Sequence, residues 1–516
     1  NKVLQYENDE AGNLKKFIDM DNVMTEYNYN AANIITSIVY NGAKTTTYEY
    51  DNGWRRTKQT LPNNSYTVYD YTDVGNLKFL GNYKSTSDTI SSFEYTLDAA
   101  GNRTEIKEAD GSVSKFEYDN LYQLTKEIKF QMNGDTIYGI SYIYDSVGNR
   151  LADTDLVSGD TRYFEYDADN RMLRAGNDTF TFDLAGNMTA MFTDSGLTTY
   201  NWDFESLLKS ILHNQDTIAI YEYNGEGIRT KRIINDSTII FLLNGYNEIA
   251  EYNQDSDIIC KYWQTQDIDA PIAKVIDGEY YYYLYDGLGS VMNITSENET
   301  IQNTYKYKGF GAELEKNESI ENEFQYTARR NDNNGLYYYR ARYYGNIIQR
   351  FINKDILLGD VEIPLSLNKY HYVLNNPFRY TDPFGLISID PNCGQYSNSI
   401  QRYLDRAYRV ANTCLPNSLK TDFNREFNDP SKTINCFSNP SRPCATVNTA
   451  LTVINVNLFK FYNGTGGTQG CGLPQSTLLH EILHLSDQSE NTAYGCEAKC
   501  FSPQPPDHSG KACDCK

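Results

Sequence analysis

Histidine is scarce in this chain, cysteine is nearly absent from its first three quarters, and no long apolar run occurs anywhere. No stretch approaches the ~18 apolar residues that a membrane-crossing helix needs, which excludes an integral helical membrane protein. The opening NKVLQYENDE has neither a basic stretch nor an apolar one. Asn1 therefore reads as an internal cut point, with any export signal outside this sequence. Positive charge is also in deficit: 46 Lys and Arg stand against 68 Asp and Glu, a net charge of −22. A nucleic-acid binder normally shows a basic face, so that class of partner is disfavoured. What is abundant is aromatic surface: 45 Tyr, 22 Phe and 3 Trp in 516 residues, enough to bury and to exclude a disordered chain. At roughly 150 residues per domain the length equals about three domains, or one large irregular body plus a smaller unit.

The scarcities are uneven. Cys260 stands alone in the long N-terminal part, whereas nine cysteines follow residue 390: Cys393, Cys414, Cys436, Cys444, Cys471, Cys496, Cys500, Cys513 and Cys515. That density belongs to a disulfide-stapled exported domain, and the odd number leaves one thiol free or paired elsewhere. Residues 387–516 carry 11 basic and 11 acidic side chains, so the whole −22 falls on residues 1–386. The two parts differ in charge and in cysteine usage, and so in task.

The first part is repetitive. An aromatic–x–aromatic–Asp unit recurs, often followed by Gly-Asn: YEYD at 48–51, YTLDAAGNR at 95–103, FEYD at 116–119, YIYDSVGNR at 142–150, FEYDADNR at 164–171, FTFDLAGN at 180–187, YNWD at 200–203 and YEYNGEG at 221–227. From Asp98 the key positions fall at 98, 119, 145, 167, 183, 203 and 224, a loose period near twenty. Aromatics at alternate positions share one face of a strand. Asp-x-x-Gly-Asn supplies the turn, with Asp bonding nearby backbone and Gly or Asn taking positive φ. Each unit is thus a β-hairpin that cannot bury its own aromatic face. Stacked neighbours can, which makes a β-hairpin solenoid. On this reading the repeat Tyr and Asp residues are scaffold.

These units resemble the YD repeats of bacterial Rhs proteins, a scaffold shared with toxin-complex C components and teneurins. The resemblance strengthens in YYLYDGLGSV (282–291), YKYKGFGAE (305–313), FQYTARRNDNNGLYYYRARYYGNIIQRFINKD (324–355) and NKYHYVLNNPFRYTDPFGL (368–386), which look like the Rhs-associated core. It covers about residues 40–386. It implies a mainly β protein: a ribbon spiralling into a hollow shell over 1–280, a core over 281–386 that closes the shell, and an enclosed C-terminal toxin from Ile387. In such cores the chain commonly cuts itself after the Leu of DPxGL, using acidic residues arranged as in aspartyl proteases. Asp382-Pro383-Phe384-Gly385-Leu386 matches, placing the implied cut after Leu386. Asp355 is the second carboxylate and Arg350 the electrostatic partner. The sequence departs from the pattern at Ile356, where the family has Pro after the first Asp, and in a longer segment up to Asn368.

Residues 387–516 follow another pattern. Ile400, Tyr403, Leu404, Ala407, Ala411 and Cys414 recur at helical spacing. Residues 449–459 (TALTVINVNLF) read as a strand, a Gly-rich loop follows, and a helix starts near Ser476. That helix carries His480-Glu481-Ile482-Leu483-His484 in a chain with only 5 His. Histidines at i and i+4 lie on one helical face, where both imidazoles reach one Zn²⁺. Glu481 projects beside them, placed to take a proton from metal-bound water. The order of elements resembles zincin metallopeptidases, and implies a small α+β domain whose edge strand, here 449–459, pairs with extended substrate. Glu490 has the spacing of the third ligand in extended zincins, with Asp487 at the turn. Glu497 is the rival, from a second helix, and Asp487 and His508 stay open. Tyr494 is placed to support a developing oxyanion, or simply packs. The Cys-rich tail reads as a disulfide staple, with a zinc knuckle from Cys496, Cys500, Cys513 and Cys515 as the alternative.

The sequence-based expectation is a secreted or cell-surface polymorphic toxin. Its shell encloses its own C-terminal zinc peptidase, and its expected partners are a secretion apparatus, a cognate immunity protein and a protein substrate in a target cell. Two rivals stand beside it. One is a cell-surface carbohydrate- or protein-binding YD-repeat protein with a structural Cys-rich cap. The other is a zinc enzyme acting on a non-peptide amide or ester.

Overall fold

The computed structural model describes residues 3–356 and 364–386, with three further strands at Thr433–Phe437, Ala445–Val447 and Val453–Asn457. It is almost wholly antiparallel sheet: thirty strands run from Gln5–Asn8 to Glu313–Glu318. Among the described residues the helical pieces are three short 3₁₀ turns, at Tyr326–Ala328, Pro364–Leu367 and Val373–Asn375. The chain divides between Thr89 and Ile90 into separate units, and Ile90–Ser388 is one continuous unit that runs through residue 280.

The alternation expected of half-buried strands is present. Phe93, Tyr95, Phe116, Tyr142, Phe164, Tyr200 and Tyr221 are buried, while Glu94, Glu117, Glu165 and Glu222 between or beside them face solvent. The repeat Asp is a turn clamp, as its sequence suggests. At Asp145, Oδ1 accepts the backbone N–H of Val147 (3.0 Å) and of Asn149 (2.8 Å), and Oδ2 accepts the Asn149 side-chain amide at 2.9 Å. Gly148 completes the turn at φ +79°, a conformation that costs glycine little. Asp98 and Asp183 repeat the bonds to Asn102 and Asn187. Arg55, Gln123 and Arg171 take the same place at other turns, since any side-chain donor closes the clamp.

One element of the repeat was not legible in its pattern. The Tyr just before the turn's Asp or Asn sits at a β-bulge, as at Tyr29, Tyr50, Tyr118 and Tyr223. Its hydroxyl donates to a backbone carbonyl 15 residues earlier: Tyr29 to Leu14 (2.8 Å), Tyr50 to Ile35 (2.7 Å), Tyr118 to Arg103 (2.7 Å) and Tyr223 to Leu208 (2.7 Å). Each hairpin is thereby tied to the one before it, and an otherwise unsatisfied phenol gains a partner.

Within Ile90–Ser388 the ribbon returns upon itself. Tyr95 Oη accepts the Gly287 N–H (2.9 Å), Arg103 donates to the Gly287 carbonyl (2.9 Å), and Lys306 pairs with Asp110 (3.0 Å). Glu127 is fully buried and accepts the Gly309 N–H at 2.8 Å together with the hydroxyls of Tyr138 and Tyr142. Residues 368–379 then run along the row of clamp turns. Arg379 meets Ala100 O, Asn376 meets Asn102, Asn375 meets Gln123, Asn368 meets Asn149 and Tyr370 meets Gly186 O. The amides of Asn102, Gln123 and Asn149 are used twice: nitrogen to the clamp Asp, oxygen to this strap.

Asn149, 2% exposed, should therefore matter far more than its counterpart Asn13, whose amide serves only turn side chains near the surface. Asn149→Ala is expected to lower unfolding stability by about 2 kcal/mol and Asn13→Ala by less than about 1 kcal/mol. Urea unfolding followed by tyrosine fluorescence measures both.

Candidate functional site

A strand of unusual composition, Arg342–Gly345, lies in a small sheet with Leu336–Tyr339, Arg330–Asn331 and Arg350–Phe351. Tyr326, Tyr337, Tyr339, Tyr344, Phe351 and Tyr372 pack there as one aromatic cluster. Arg342 sits at its margin with its guanidinium 3.6 Å from the centroid of the Phe351 ring. A charge buried there needs carboxylates, and it has two. Arg342 Nη2 lies 3.0 Å from Asp355 Oδ2 and 3.1 Å from Asp382 Oδ2, with all three side chains at most 5% exposed. The same guanidinium donates from Nη1 to Lys369 O (3.1 Å) and from Nε to the carbonyl of Gly385.

Asp355 and Asp382 are therefore brought together, 27 positions apart in the sequence, about the backbone of Gly385 and Leu386. Asp382 Oδ1 also accepts the Leu386 N–H at 2.8 Å. Gly385 is required: at φ +70° a Cβ would stand 2.5 Å from the Tyr339 carbonyl oxygen. Ile356 in place of Pro does not displace Asp355, whose N–H is held by Lys369 O at 3.0 Å.

Arg350 is not the partner that the sequence suggested. Successive side chains of a strand point to opposite faces. With Phe351 turned to the aromatic cluster, Arg350 turns the other way. It donates to Asn149 Oδ1 (3.1 Å), Asn170 O (3.0 Å) and Asn368 Oδ1 (3.0 Å). Arg342 is the guanidinium that lies against both carboxylates. The signal was present in Tyr-Arg-Ala-Arg-Tyr-Tyr, where two arginines interrupt a buried aromatic run.

The neighbouring segment is fastened by further buried ions. Asp332 holds Arg229 (2.5 Å) and Arg232 (3.0 Å), Glu323 holds Lys274 (3.2 Å), and Arg330 bridges Glu248 and Glu251. Losing one member would leave a buried charge unpaired, so this network fixes where the core segment meets the ribbon.

His480, Glu481, His484, Glu490, Tyr494 and Glu497 lie outside the described residues, as do both expected C-terminal helices. The strand read at 449–459 is present as Val453–Asn457. It is not an edge: it pairs in parallel with Thr433–Phe437 on one side and antiparallel with Ala445–Val447 on the other. With both ladders occupied it has no free backbone to pair with substrate, which corrects that expectation. Among the described residues no cluster of three or more His, Cys, Asp or Glu is placed to hold a metal.

His371 is buried beside this site and donates from Nε2 to Leu365 O at 2.7 Å. Burial, then the charges of Arg350 and Arg342, push its pKa down to about 4 from 6.5. The folded chain resists the proton that the unfolded chain accepts. Stability is thus unaffected above pH 6.5 and falls as pH drops from there toward 4. His371→Gln should flatten the unfolding free energy across that window, measured by denaturant titration at stepped pH.

The fold defines a class of architecture, a β-ribbon of repeated hairpins whose C-terminal segment, carrying the carboxylate pair, docks back on its turns. No family model matches the chain. The Photorhabdus luminescens Tc holotoxin pore shares the fold, with a TM-score of 0.63 at 19% identity over 74% of this chain and 21% of that one. Among curated relatives, the tRNA3(Ser)-specific nuclease WapA of Bacillus spizizenii is 27% identical over 223 residues, 42% of this chain and 9% of that protein. The toxin subunit YenC2 of Yersinia entomophaga is 41% identical over 66 residues, 13% of this chain and 6% of that protein. The chain spans under a tenth of the length of these relatives. Together they support the Rhs/YD-repeat toxin family.

Proposed function

We propose that this chain is the carrier part of a secreted polymorphic toxin. Its Rhs-type core cuts the chain after Leu386, and its β-ribbon encloses an enzymatic tail, residues 387–516. The observation that carries the proposal is the placement of Asp355 and Asp382 on one guanidinium beside Leu386. Two adjacent carboxylates sharing a proton can activate water. One aspartate takes a proton as water adds to the Leu386 carbonyl carbon, and the other returns one to the Ile387 nitrogen as the C–N bond breaks. Arg342 compensates the negative charge and holds Gly385. A carrier of this kind restrains an enzyme dangerous to its producer, and its expected antagonist is an immunity protein.

For the tail we propose a zinc-dependent peptidase. His480, His484 and either Glu490 or Glu497 form the mixed nitrogen and oxygen donor set that a single Zn²⁺ takes. Once bound, the ion would polarise a carbonyl and acidify water. Glu481 accepts the proton, and Tyr494 stands as a hydrogen-bond donor nearby. The mixed three-stranded sheet ahead of the motif supports this reading, with Thr433–Phe437 and Ala445–Val447 as its outer strands among the described residues. The WapA relatives, named as tRNA nucleases, favour a ribonuclease tail as the second reading. The acidic balance that disfavours nucleic acid belongs to residues 1–386 and does not exclude it.

Intact mass and N-terminal sequencing of the purified chain test the first step. A fragment beginning Ile387-Ser388-Ile389 is expected, absent in Asp355→Asn and Asp382→Asn. For the tail, the full chain should retain about one zinc per chain. His480→Ala with His484→Ala should lose it, and Glu481→Gln should keep it while losing peptidase activity. A metal-free chain that cleaves tRNA would establish the ribonuclease reading instead.

A further inference from the structure

Pro383, upstream of the proposed cut, offers its carbonyl oxygen to two guanidiniums at once, accepting from Arg329 Nη2 and Arg340 Nη1. Both arginines are gripped by the single carboxylate of Asp269. Arg329 Nη2 is 2.6 Å from Oδ2, and Arg340 lies 2.7 Å from Oδ1 through Nη2 and 2.9 Å from Oδ2 through Nη1. The side chains of Asp269, Arg329 and Arg340 are 14%, 4% and 10% exposed. Two buried cations thus share one anion and one neutral carbonyl, and burial holds Arg329 below its ordinary pKa. Stability alone does not call for this, because desolvating an uncompensated guanidinium is costly. Asp269 itself adopts φ +57° in the loop between Ile258–Gln264 and Pro271–Ile276, a strained conformation of the sort that collects at functional sites. The grip extends to the next residue. Arg340 lies 5.3 Å from the centroid of the Phe384 ring, Tyr246 meets that ring edge-on at 4.9 Å, and the Ala341 N–H donates to Phe384 O at 3.1 Å. Arg342 and Asp382 already hold Gly385 and Leu386.

We propose that Asp269, Arg329 and Arg340 form a positioning clamp for the self-cleavage reaction. The clamp fixes Pro383 and Phe384 so that the Leu386 carbonyl stays beside Asp355 and Asp382, and it keeps hold of the N-terminal product afterwards. This rests on the self-cleavage reading above. None of the three touches the reacting atoms; they act through the Pro383 carbonyl, by restricting the peptide to a reactive geometry. Because the product tail stays gripped, the site is occupied after one cut. The reaction is therefore confined to a single turnover within its own chain.

Full-length chains carrying Asp269→Asn, Asp269→Glu and Arg340→Lys test the clamp. Release of the tail is timed by intact mass across a pH series, and folding is checked by thermal unfolding on an Asp382→Asn background. Asp269→Asn should slow release about 10- to 100-fold at every pH without moving the limbs of the profile. Asp269→Glu should restore most of the rate. Arg340→Lys, which keeps a charge but loses the fork, should be slowed as well, and it decides the matter if Asp269→Asn fails to fold. In the cleaved wild type, the Ala341 amide should stay protected from hydrogen exchange. Wild-type rates in both Asp269→Asn and Arg340→Lys would overturn the clamp while leaving self-cleavage standing. Loss of Ala341 protection on cleavage would overturn product retention. A wild-type chain that never releases its tail would overturn the cleavage reading and the clamp with it.

Discussion

The carboxylate of the repeat aspartate is the contact on which the rest of the structure turns. One of its oxygens gathers two backbone N–H groups and the other takes a side-chain donor. That closes these hairpins with a fixed register, and fixed register is what puts alternate aromatics such as Tyr95, Phe116, Tyr142 and Phe164 on the buried face. It also aims the free oxygen of Asn102, Gln123 and Asn149 outward along one rim. The strap binds that row of oxygens through Asn368, Asn375 and Asn376. A local turn device thus becomes a long-range docking code, carried by an amide that uses nitrogen for the turn and oxygen for its partner.

The position of the carboxylate pair follows from that docking. Asn368, Tyr370 and Asn375 are pinned to the rim, and Lys369 O fixes both Arg342 and the backbone of Asp355. Strand alternation does the rest, sending Phe351 to the aromatic cluster and Arg350 to the rim. The pairing of the two carboxylates is a by-product of satisfying buried backbone and buried charge. Asp355 is held in place by its own N–H, which donates to Lys369 O.

How far the sequence discloses this depends on the range of each interaction. Hairpins, the aromatic face and the Asp turn are legible because their causes lie within a few residues. Asp355, Asp382 and Leu386 were reached through resemblance to the Rhs core, and the structure brings them together. Arg342 was missed in favour of Arg350, since choosing between them needs the facing of a two-residue strand. The tyrosine ties, the rim-to-strap pairings and the Asp269 bridge to Pro383 depend on the path of the ribbon, which no local pattern encodes. The strand at 449–459 was found but assigned the wrong neighbours, because a strand's sequence does not say how many ladders flank it. The His480–His484 motif lies outside the described residues, and the zinc reading proposed for it rests on the spacing of its histidines and acids.

The tyrosine tie spans one hairpin, always from a bulge to the same place on the hairpin before it. A ribbon built this way is indifferent to its own length: a whole hairpin added or removed leaves every tie with a lawful partner. That freedom ends where the ribbon rejoins itself between Tyr95 and Gly287. There, dropping one hairpin would shift each rim amide past its strap residue. Gain or loss of a whole hairpin is thus compatible with the ties ahead of the closed turn and breaks the rim pairings within it.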